Sequence, residues 1–352
     1  RMQVPYVQGY DPSPIRPIPD GALDGAIFAG CGDSLAAAML AEHFSGRRSR
    51  AADPSDLAEE GPAPASLPPG RRVPYLISVS GETAANLRAA GACRNAVAVT
   101  ANPDSRLAAL ASGRVVPLDF PRTGVSTAGS ISFTSSVLAC LSLVSPGALR
   151  PLAGHARSMF EHAERDAAQI QVRGPLYILG GVMTYPLAMY AAAKFYEVLG
   201  YDARHARTEQ FSHMEVFSAH EGDTVMLFEE PRGRMSDLVG SLKEAGLHAF
   251  CASPPDSAAA AGGYSGDDGD GDDNNDNDDG RGADDVNDSD GAGTGTGTGG
   301  GRHGPYARAS RVLYYAFLSQ LLTLRIADES GIAECHYVSD ARMRGASNAA
   351  IY

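Results

Sequence analysis

The stretch LISVSGETAANL, residues 76–87, decides how this chain folds. It opens as a short apolar run, Tyr75-Leu76-Ile77, the pattern of a strand buried on both faces. It then turns through Ser78-Val79-Ser80-Gly81-Glu82-Thr83, and from about Glu82 the spacing is helical. A helix start offers unpaired N–H groups and the positive end of a dipole. With the hydroxyls of Ser78, Ser80 and Thr83 added, the turn suits a phosphate or another small dianion. An ordinary capped helix after a strand accounts for the same residues, so the stretch alone leaves both readings open.

The same device recurs on either side. Upstream, a strand at Ala26–Ala29 runs into Gly30-Cys31-Gly32-Asp33-Ser34 and an Ala-rich helix over Leu35–Phe44. Downstream, a small-residue loop at 124–129 precedes a long apolar helix over Ser130–Val144 that opens with Ser130, Ser132 and Thr134. Strands at Ala96–Thr100 and Val115–Leu118 and a helix near Asp104–Ala111 fill the space between. This alternation predicts an α/β fold, a parallel sheet covered by helices on both sides. Such sheets bind ligands at the carboxyl ends of their strands, so the hydroxyl-rich helix starts at Ser34, Ser78–Thr83 and Ser130 are expected to converge there. Gly30 and Gly32 also form a GxG. The dinucleotide reading of that motif is disfavoured, because residues 49–60 read as polar and irregular and offer no acidic residue at the end of a second strand.

The second half repeats the pattern. It has a polar connector near His155–Gln169, a strand at Leu176–Leu179, the Gly180-Gly181 turn, and a helix over Tyr185–Leu199. That helix carries Pro186 in its first turn and Gly200 just past its end. Then come a strand at Asp202–Arg207, a short helix at Gln210–Phe217, a strand at Thr224–Phe228, a helix at Ser236–Ala245 and a strand at Ala249–Ala252. Residues 254–305 break the composition: Gly, Asp and Asn dominate, with a GTGTGTGGG run at 293–301. Such a segment buries no apolar surface and reads as a disordered acidic insertion. A calcium loop in GDDGDGDDNNDNDDG, residues 266–280, is disfavoured because no glutamate closes it. A long amphipathic helix at Ala307–Asp328 follows, then a polar tail. The expected layout is an irregular Pro-rich arm at 1–20, a first domain at 21–150, and a second at 151–352 with the insertion at 255–305 and the tail at 335–352.

Composition narrows the function. The 352 residues are 43% hydrophobic, enough for a sizeable core. The net charge of −13 is misleading, because twelve Asp and one Arg lie between 267 and 290 and the remainder is close to neutral. No basic stripe remains, which argues against nucleic acid as a partner. No apolar run reaches the length of a membrane span, and the first residues lack an apolar leader core. Five scattered cysteines without a CxxC pair suit a reduced cytoplasm, with neither a disulfide framework nor a structural metal. The only lysines are Lys194 and Lys243.

GCGDS at 30–34, SVSGET at 78–83 and STAGSISFTSSV at 126–137 together resemble the sugar isomerase (SIS) domain family. The resemblance covers most of the chain as two such domains in tandem. It is similar to the isomerase half of glucosamine-fructose-6-phosphate aminotransferase and to bifunctional phosphoglucose/phosphomannose isomerases. It implies two flavodoxin-like three-layer domains, phosphosugar binding by Ser34, Ser78, Ser80 and Thr83 with Ser130 nearby, and no metal or redox cofactor. Aldose–ketose exchange also needs an acid/base that reaches both C1 and C2 and another that serves the ring oxygen. The family supplies a Glu and, sixteen residues later, a His. Here AKFYE ends at Glu197 and TEQFSH at His213, which matches that spacing. The family His usually reaches a neighbouring subunit's site, so a homodimer is implied.

From the residues alone, Lys194 and Glu197 read first as a surface helical ion pair and His213 as a loop or core histidine, and the resemblance reverses that order. In the catalytic reading, Glu197 is partly desolvated in an apolar helix, and Lys194 tethers it or stabilises the enediolate. Three departures bear on the chemistry. Val79 stands where the aminotransferase has Gln, and Gln210–Glu215 departs from the family's histidine loop. In the tail, Arg344 matches the family arginine, but Asn348 stands at the position of a substrate-facing lysine. Asn donates hydrogen bonds but forms no Schiff base, so ring opening by that route is not expected. The leading expectation is a phosphosugar aldose–ketose isomerase acting through a cis-enediol on a hexose or amino-hexose 6-phosphate. A non-catalytic phosphosugar-binding protein and a deglycase or lyase on an amino-sugar phosphate stand beside it.

Overall fold

The computed structural model describes residues 2–61, 72–121, 128–228, 235–255 and 305–352. In chain order the elements are α1 (Gln3–Gln8), β1 (Ala26–Gly30), α2 (Asp33–Phe44), β2 (Arg50–Ala52), α3 (Pro54–Glu60), β3 (Val73–Ile77), α4 (Ala84–Ala92), β4 (Val97–Thr100), α5 (Arg106–Leu110), β5 (Val115–Pro117) and α6 (Ile131–Val144). There follow α7 (Leu149–Gln169), β6 (Leu176–Gly180), α8 (Tyr185–Lys194), β7 (Ala203–Arg207), α9 (Thr208–His213), β8 (Thr224–Phe228), α10 (Met235–Glu244), β9 (His248–Ala252), α11 (Pro305–Glu329), α12 (His336–Ser339) and α13 (Ala341–Ile351).

Two parallel sheets result, one in the order β2-β1-β3-β4-β5 and the other β7-β6-β8-β9. Every residue of β1, β6 and β8 is buried, which is why these strands are continuous apolar runs rather than alternating ones. In each sheet the chain leaves the first strand for one edge, then returns to the opposite side. In the first sheet that reversal falls between β1 and β3, whose ends are in register, Gly30 beside Ile77. A crevice opens at such a reversal, outside the carboxyl ends of the strands.

Helices from both halves share one apolar core. Phe28, Leu40 and Phe133 join Tyr190, Phe195, Tyr315 and Phe317 in a single cluster. Phe133 of α6 stacks on Tyr190 of α8 with ring centres 3.8 Å apart. Each such fully buried side chain contributes roughly 1.5–3 kcal/mol of burial free energy.

Several expectations need correction. Residues 1–20 are not an irregular arm: α1 forms, Val4, Val7, Ile15 and Ile18 are buried, and the Ile18 amide donates to the Leu143 carbonyl at 2.8 Å. Its few apolar residues sit at helical spacing between prolines, and the prolines dominated the reading. Residues 49–60 are not irregular either, since β2 and α3 occupy them. Asp53 caps α3 by accepting the Ser55 amide at 2.7 Å, and Pro54 takes the first helical position. An acidic residue therefore does follow a second strand, but its carboxylate is engaged in the cap, and Leu35 stands where the dinucleotide fingerprint has its third glycine. Helix α7 begins at Leu149 rather than His155, and the segment near 210–217 is two pieces, α9 and a tight turn at Glu215–Ser218. The tail is helical, as α12 and α13, with no residue fully buried. The Pro/Ala loop at 62–71, most of the 124–129 loop and the acidic insertion lie outside the described residues. No helix among the described residues is long and apolar enough to cross a membrane.

Candidate active site at the carboxyl ends of the first sheet

Two turns flank the crevice. After β1, Gly32 takes a left-handed φ of 56° and starts α2, with Asp33 and Ser34 in its first turn. Gly30 must lack a side chain, because a Cβ there would lie 2.6 Å from Ser34 Cβ. After β3, Ser78 is buried and its hydroxyl meets Thr83 Oγ1 at 3.0 Å while accepting the Gly81 amide at 3.1 Å. Ser80 Oγ accepts the Glu82 amide at 3.2 Å. Gly81 has φ 70°, and a Cβ on it would lie 2.1 Å from Ser105 Oγ. Glu82 turns away from the crevice to Arg106, whose guanidinium holds its carboxyl below the usual range. The hydroxyls of Ser78, Ser80 and Thr83 therefore shape a rigid loop whose helix, α4, starts at the crevice.

The third turn joins them through a buried ion cluster. Lys194, the last residue of α8, is 2% exposed. Its ammonium donates to Asp33 Oδ2 at 2.7 Å, to Glu197 Oε2 at 2.6 Å and to the Gly129 carbonyl at 3.2 Å. All three N–H groups of the lysine are thereby engaged. Gly129 immediately precedes Ser130, the residue at the start of α6, so the cluster ties α2, α6 and α8 at one point. The Tyr190 hydroxyl donates to the same carbonyl at 3.1 Å and accepts from Gln320 at 2.9 Å. Burial pushes the Asp33 carboxyl up to about 6, with Lys194 pulling it back and Glu197 adding to the rise. Burial works against the Lys194 ammonium, but the two carboxylates outweigh it, and its pKa lies above the ordinary value.

Glu197 does not lie in regular α-helix. From Phe195 to Leu199 the helix widens into a π-turn, closed by Gly200 in the left-handed region at φ 61°. Such widened turns re-aim one side chain and are frequent at functional sites. The tail runs beside it: α12 packs on this turn and α13 against α4. Arg344, Ser347 and Asn348 form the half-buried face of α13. Arg344 donates to the Val338 carbonyl at 2.6 Å, and the amide oxygen of Asn348 is buried without a partner among the described residues.

The structure thus places Ser34 on the turn after β1, Ser78, Ser80 and Thr83 on the turn after β3, and Ser130 at the start of α6, with Lys194 and Glu197 against the first turn. His213 is not part of this cluster. It stands at the exposed end of α9, 69% exposed, with Glu209 of its own helix 3.3 Å away. Asp33, Gly129 and Tyr190 were not singled out from sequence. The available signal was an acidic residue inside GCGDS and a lysine in an alanine-rich helix, which calls for a buried carboxylate partner. A separate cavity of about 520 Å³ runs between α7 and β9, past His162, Asp166 and His248, and none of the expected site residues lines it. Among the described residues, no group of three or more His, Cys, Asp or Glu is placed to hold a metal ion.

No protein-family model and no curated protein matches the chain in sequence. Solved structures match its fold. Glucosamine-6-phosphate deaminase from Thermotoga maritima is similar at 17% identity and TM-score 0.59, over 86% of each chain. The C-terminal domain of glucosamine-fructose-6-phosphate aminotransferase from Francisella tularensis is similar at 13% identity and TM-score 0.59, over 92% of this chain and 93% of that one. Tagatose-6-phosphate ketose/aldose isomerase from Escherichia coli is similar at 16% identity and TM-score 0.57, over 86% of this chain and 82% of that one. At these identities the likeness is one of fold: parallel sheets flanked by helices, in the arrangement these phosphosugar proteins share.

Proposed function

We propose that this chain is a phosphosugar aldose–ketose isomerase acting on a hexose or amino-hexose 6-phosphate, with its site at the β1/β3 crevice. The observation that carries the reading is the position of Glu197. Lys194 holds its carboxylate against the Gly30–Ser34 turn of the other half of the chain. A phosphate seated by Ser34, Ser78, Ser80, Thr83 and Ser130 at three helix starts presents its sugar carbons to that carboxylate. On a hexose 6-phosphate Glu197 takes the proton from C2 and returns it to C1, the C2 hydroxyl proton passes to the C1 oxygen, and electrons shift through the cis-enediolate so that the carbonyl moves from C1 to C2. Lys194 keeps Glu197 in place and offsets the charge of the enediolate. Arg344 and Asn348, on the inward face of the tail helix, close the site from the side of α4. His213 gives and takes the proton at the ring oxygen. Its exposure fits delivery to the site of a second copy, so the working unit is a homodimer. The fold's occurrence in a deaminase, an aminotransferase domain and a ketose/aldose isomerase, all of sugar phosphates by name, agrees with this reading.

The test is wash-in of solvent deuterium at C2 of a hexose 6-phosphate. Glu197→Gln should lower exchange by about 10²–10⁴-fold while phosphosugar binding persists. Equal exchange in both proteins removes Glu197 from the chemistry. The exposed His213 and the Asn348 tail position favour one second reading, a phosphosugar sensor that binds without turnover. It predicts no exchange in the wild-type protein either.

A further inference from the structure

We propose that Asp33 makes this site selective for a sugar phosphate that carries a positively charged amino group on C1 or C2. The inference deepens the phosphosugar reading above and rests on it. Its first ground is charge. Asp33 and Glu197 share one ammonium, and among the described residues no other cation is bonded to either carboxylate. The cluster therefore holds a surplus negative charge beside a lysine that is 2% exposed.

The second ground is an unmet acceptor. Asp33 Oδ2 accepts a hydrogen bond from the lysine, but Oδ1 is buried and has no partner among the described residues. Lys194 has nothing left to offer it, since its three donors go to Asp33 Oδ2, Glu197 Oε2 and the Gly129 carbonyl. A buried carboxylate oxygen without a donor is costly, and the cost is relieved by a donor that arrives with the ligand. An ammonium supplies both the hydrogen bond and the missing positive charge, whereas a hydroxyl supplies only the bond. Burial raises the proton affinity of Asp33 most, Lys194 lowers it, and the neighbouring Glu197 carboxylate adds to the rise.

The location fits the reacting end of the substrate. Asp33 precedes Ser34 on the same turn and meets Glu197 through one lysine, so an amine bonded to Asp33 lies on the carbons that Glu197 serves. The Asp33 carboxylate repels a phosphate, so the phosphate lies on the side of the Ser34 hydroxyl and the Ser78–Thr83 turn, and the amine on the side of Asp33.

Titration calorimetry with the full chain at pH 7 tests this with matched ligands, glucosamine 6-phosphate against glucose 6-phosphate and 1-amino-1-deoxyfructose 6-phosphate against fructose 6-phosphate. In at least one pair the amine should bind about tenfold tighter or more. In Asp33→Asn that preference should fall to about twofold or less, with the loss confined to the amine and the hydroxyl ligand unchanged. Asp33→Ser serves in its place if the amide variant does not fold. Equal affinities within both pairs in the wild type, or a preference that survives in the variant, overturn the proposal. If none of the four ligands binds, the phosphosugar reading itself falls and this one with it. If the hydroxyl sugars bind and the amines gain nothing, only the role of Asp33 falls.

Discussion

The two sheets carry the same turn after their first strand, and only one of the two is open. In both, a glycine ends the strand and a hydroxyl residue follows four positions later, Gly30 with Ser34 and Gly180 with Thr184. In both, a Cβ on that glycine would collide with the hydroxyl residue, at 2.6 Å from Ser34 Cβ and 2.5 Å from the Thr184 carbonyl carbon. The second turn is closed by its own bonds. Thr184 is 1% exposed, accepts the Gly181 amide at 2.9 Å and donates to the Phe228 carbonyl at 3.3 Å. In the first turn Ser34 is half-buried, and a lysine arrives from the other half of the chain. One backbone device thus serves as a fastening in one sheet and as a candidate site in the other. What separates them is whether the hydroxyl is consumed inside the protein.

The largest effect should come from removing the group that joins the two halves. Lys194→Met leaves Asp33 and Glu197, 22% and 34% exposed, facing each other without a cation, and should cost about 3 kcal/mol in a denaturant titration. No change in midpoint would mean that the cluster is solvated and that the first turn is as self-contained as the second.

Next comes a pH effect. The folded carboxyl of Asp33 lies at about 6, above its ordinary value of 3.8. Its contribution to stability is therefore complete below pH 3.8 and is lost as pH rises through about 6. Asp33→Asn has no such loss. Its stability relative to wild type should climb between pH 4 and pH 7, by at most about 3 kcal/mol. Parallel stability curves over that window would show that Asp33 does not titrate there.

Most of the fold, and the turns of the candidate site, were legible in the sequence. Strands such as Ala26–Gly30 and Leu176–Gly180 are apolar throughout because both faces are covered, and their turn residues mark where they end. Ser78, Ser80, Gly81 and Thr83 were legible because a turn is a local structure. Asp33 was not, because its meaning comes from Lys194, 161 residues away. Nothing in GCGDS indicates which distant helix delivers a cation. The arm at 1–20 and the segment 49–60 were misread because prolines and charges masked short elements that tertiary burial stabilises. The place of His213 was not legible either, since its spacing from Glu197 fixes sequence distance but not which way α9 faces.

A smaller effect belongs to the glycine in the neighbouring turn. Gly81→Ala adds a Cβ that meets Ser105 at 2.1 Å on backbone with φ 70°, so the loop must shift. It should cost about 1–3 kcal/mol and weaken phosphosugar binding as well. Gly113→Ala, with φ 73° but open space around it, should cost about 1–2 kcal/mol and leave binding alone. Equal binding losses in the two variants would show that backbone strain anywhere in the first sheet, rather than the Ser78–Thr83 geometry, governs the site.

The last and smallest effect sets the two turns directly against each other. Thr184→Val keeps the shape but removes a hydroxyl that bonds Gly181 and Phe228, and should destabilise by about 1–2 kcal/mol without touching ligand affinity. Ser34→Ala removes a half-buried hydroxyl at the crevice and should shift the denaturation midpoint by no more than about 0.5 kcal/mol. Its cost should appear in phosphosugar affinity, weakened about fivefold to tenfold as one charge-assisted bond to phosphate is lost. The two losses should not mix: stability without binding in one turn, binding without stability in the other. If Ser34→Ala lost stability and kept affinity, the first turn would be a fastening like the second, and the phosphate would have to be sought elsewhere on the molecule.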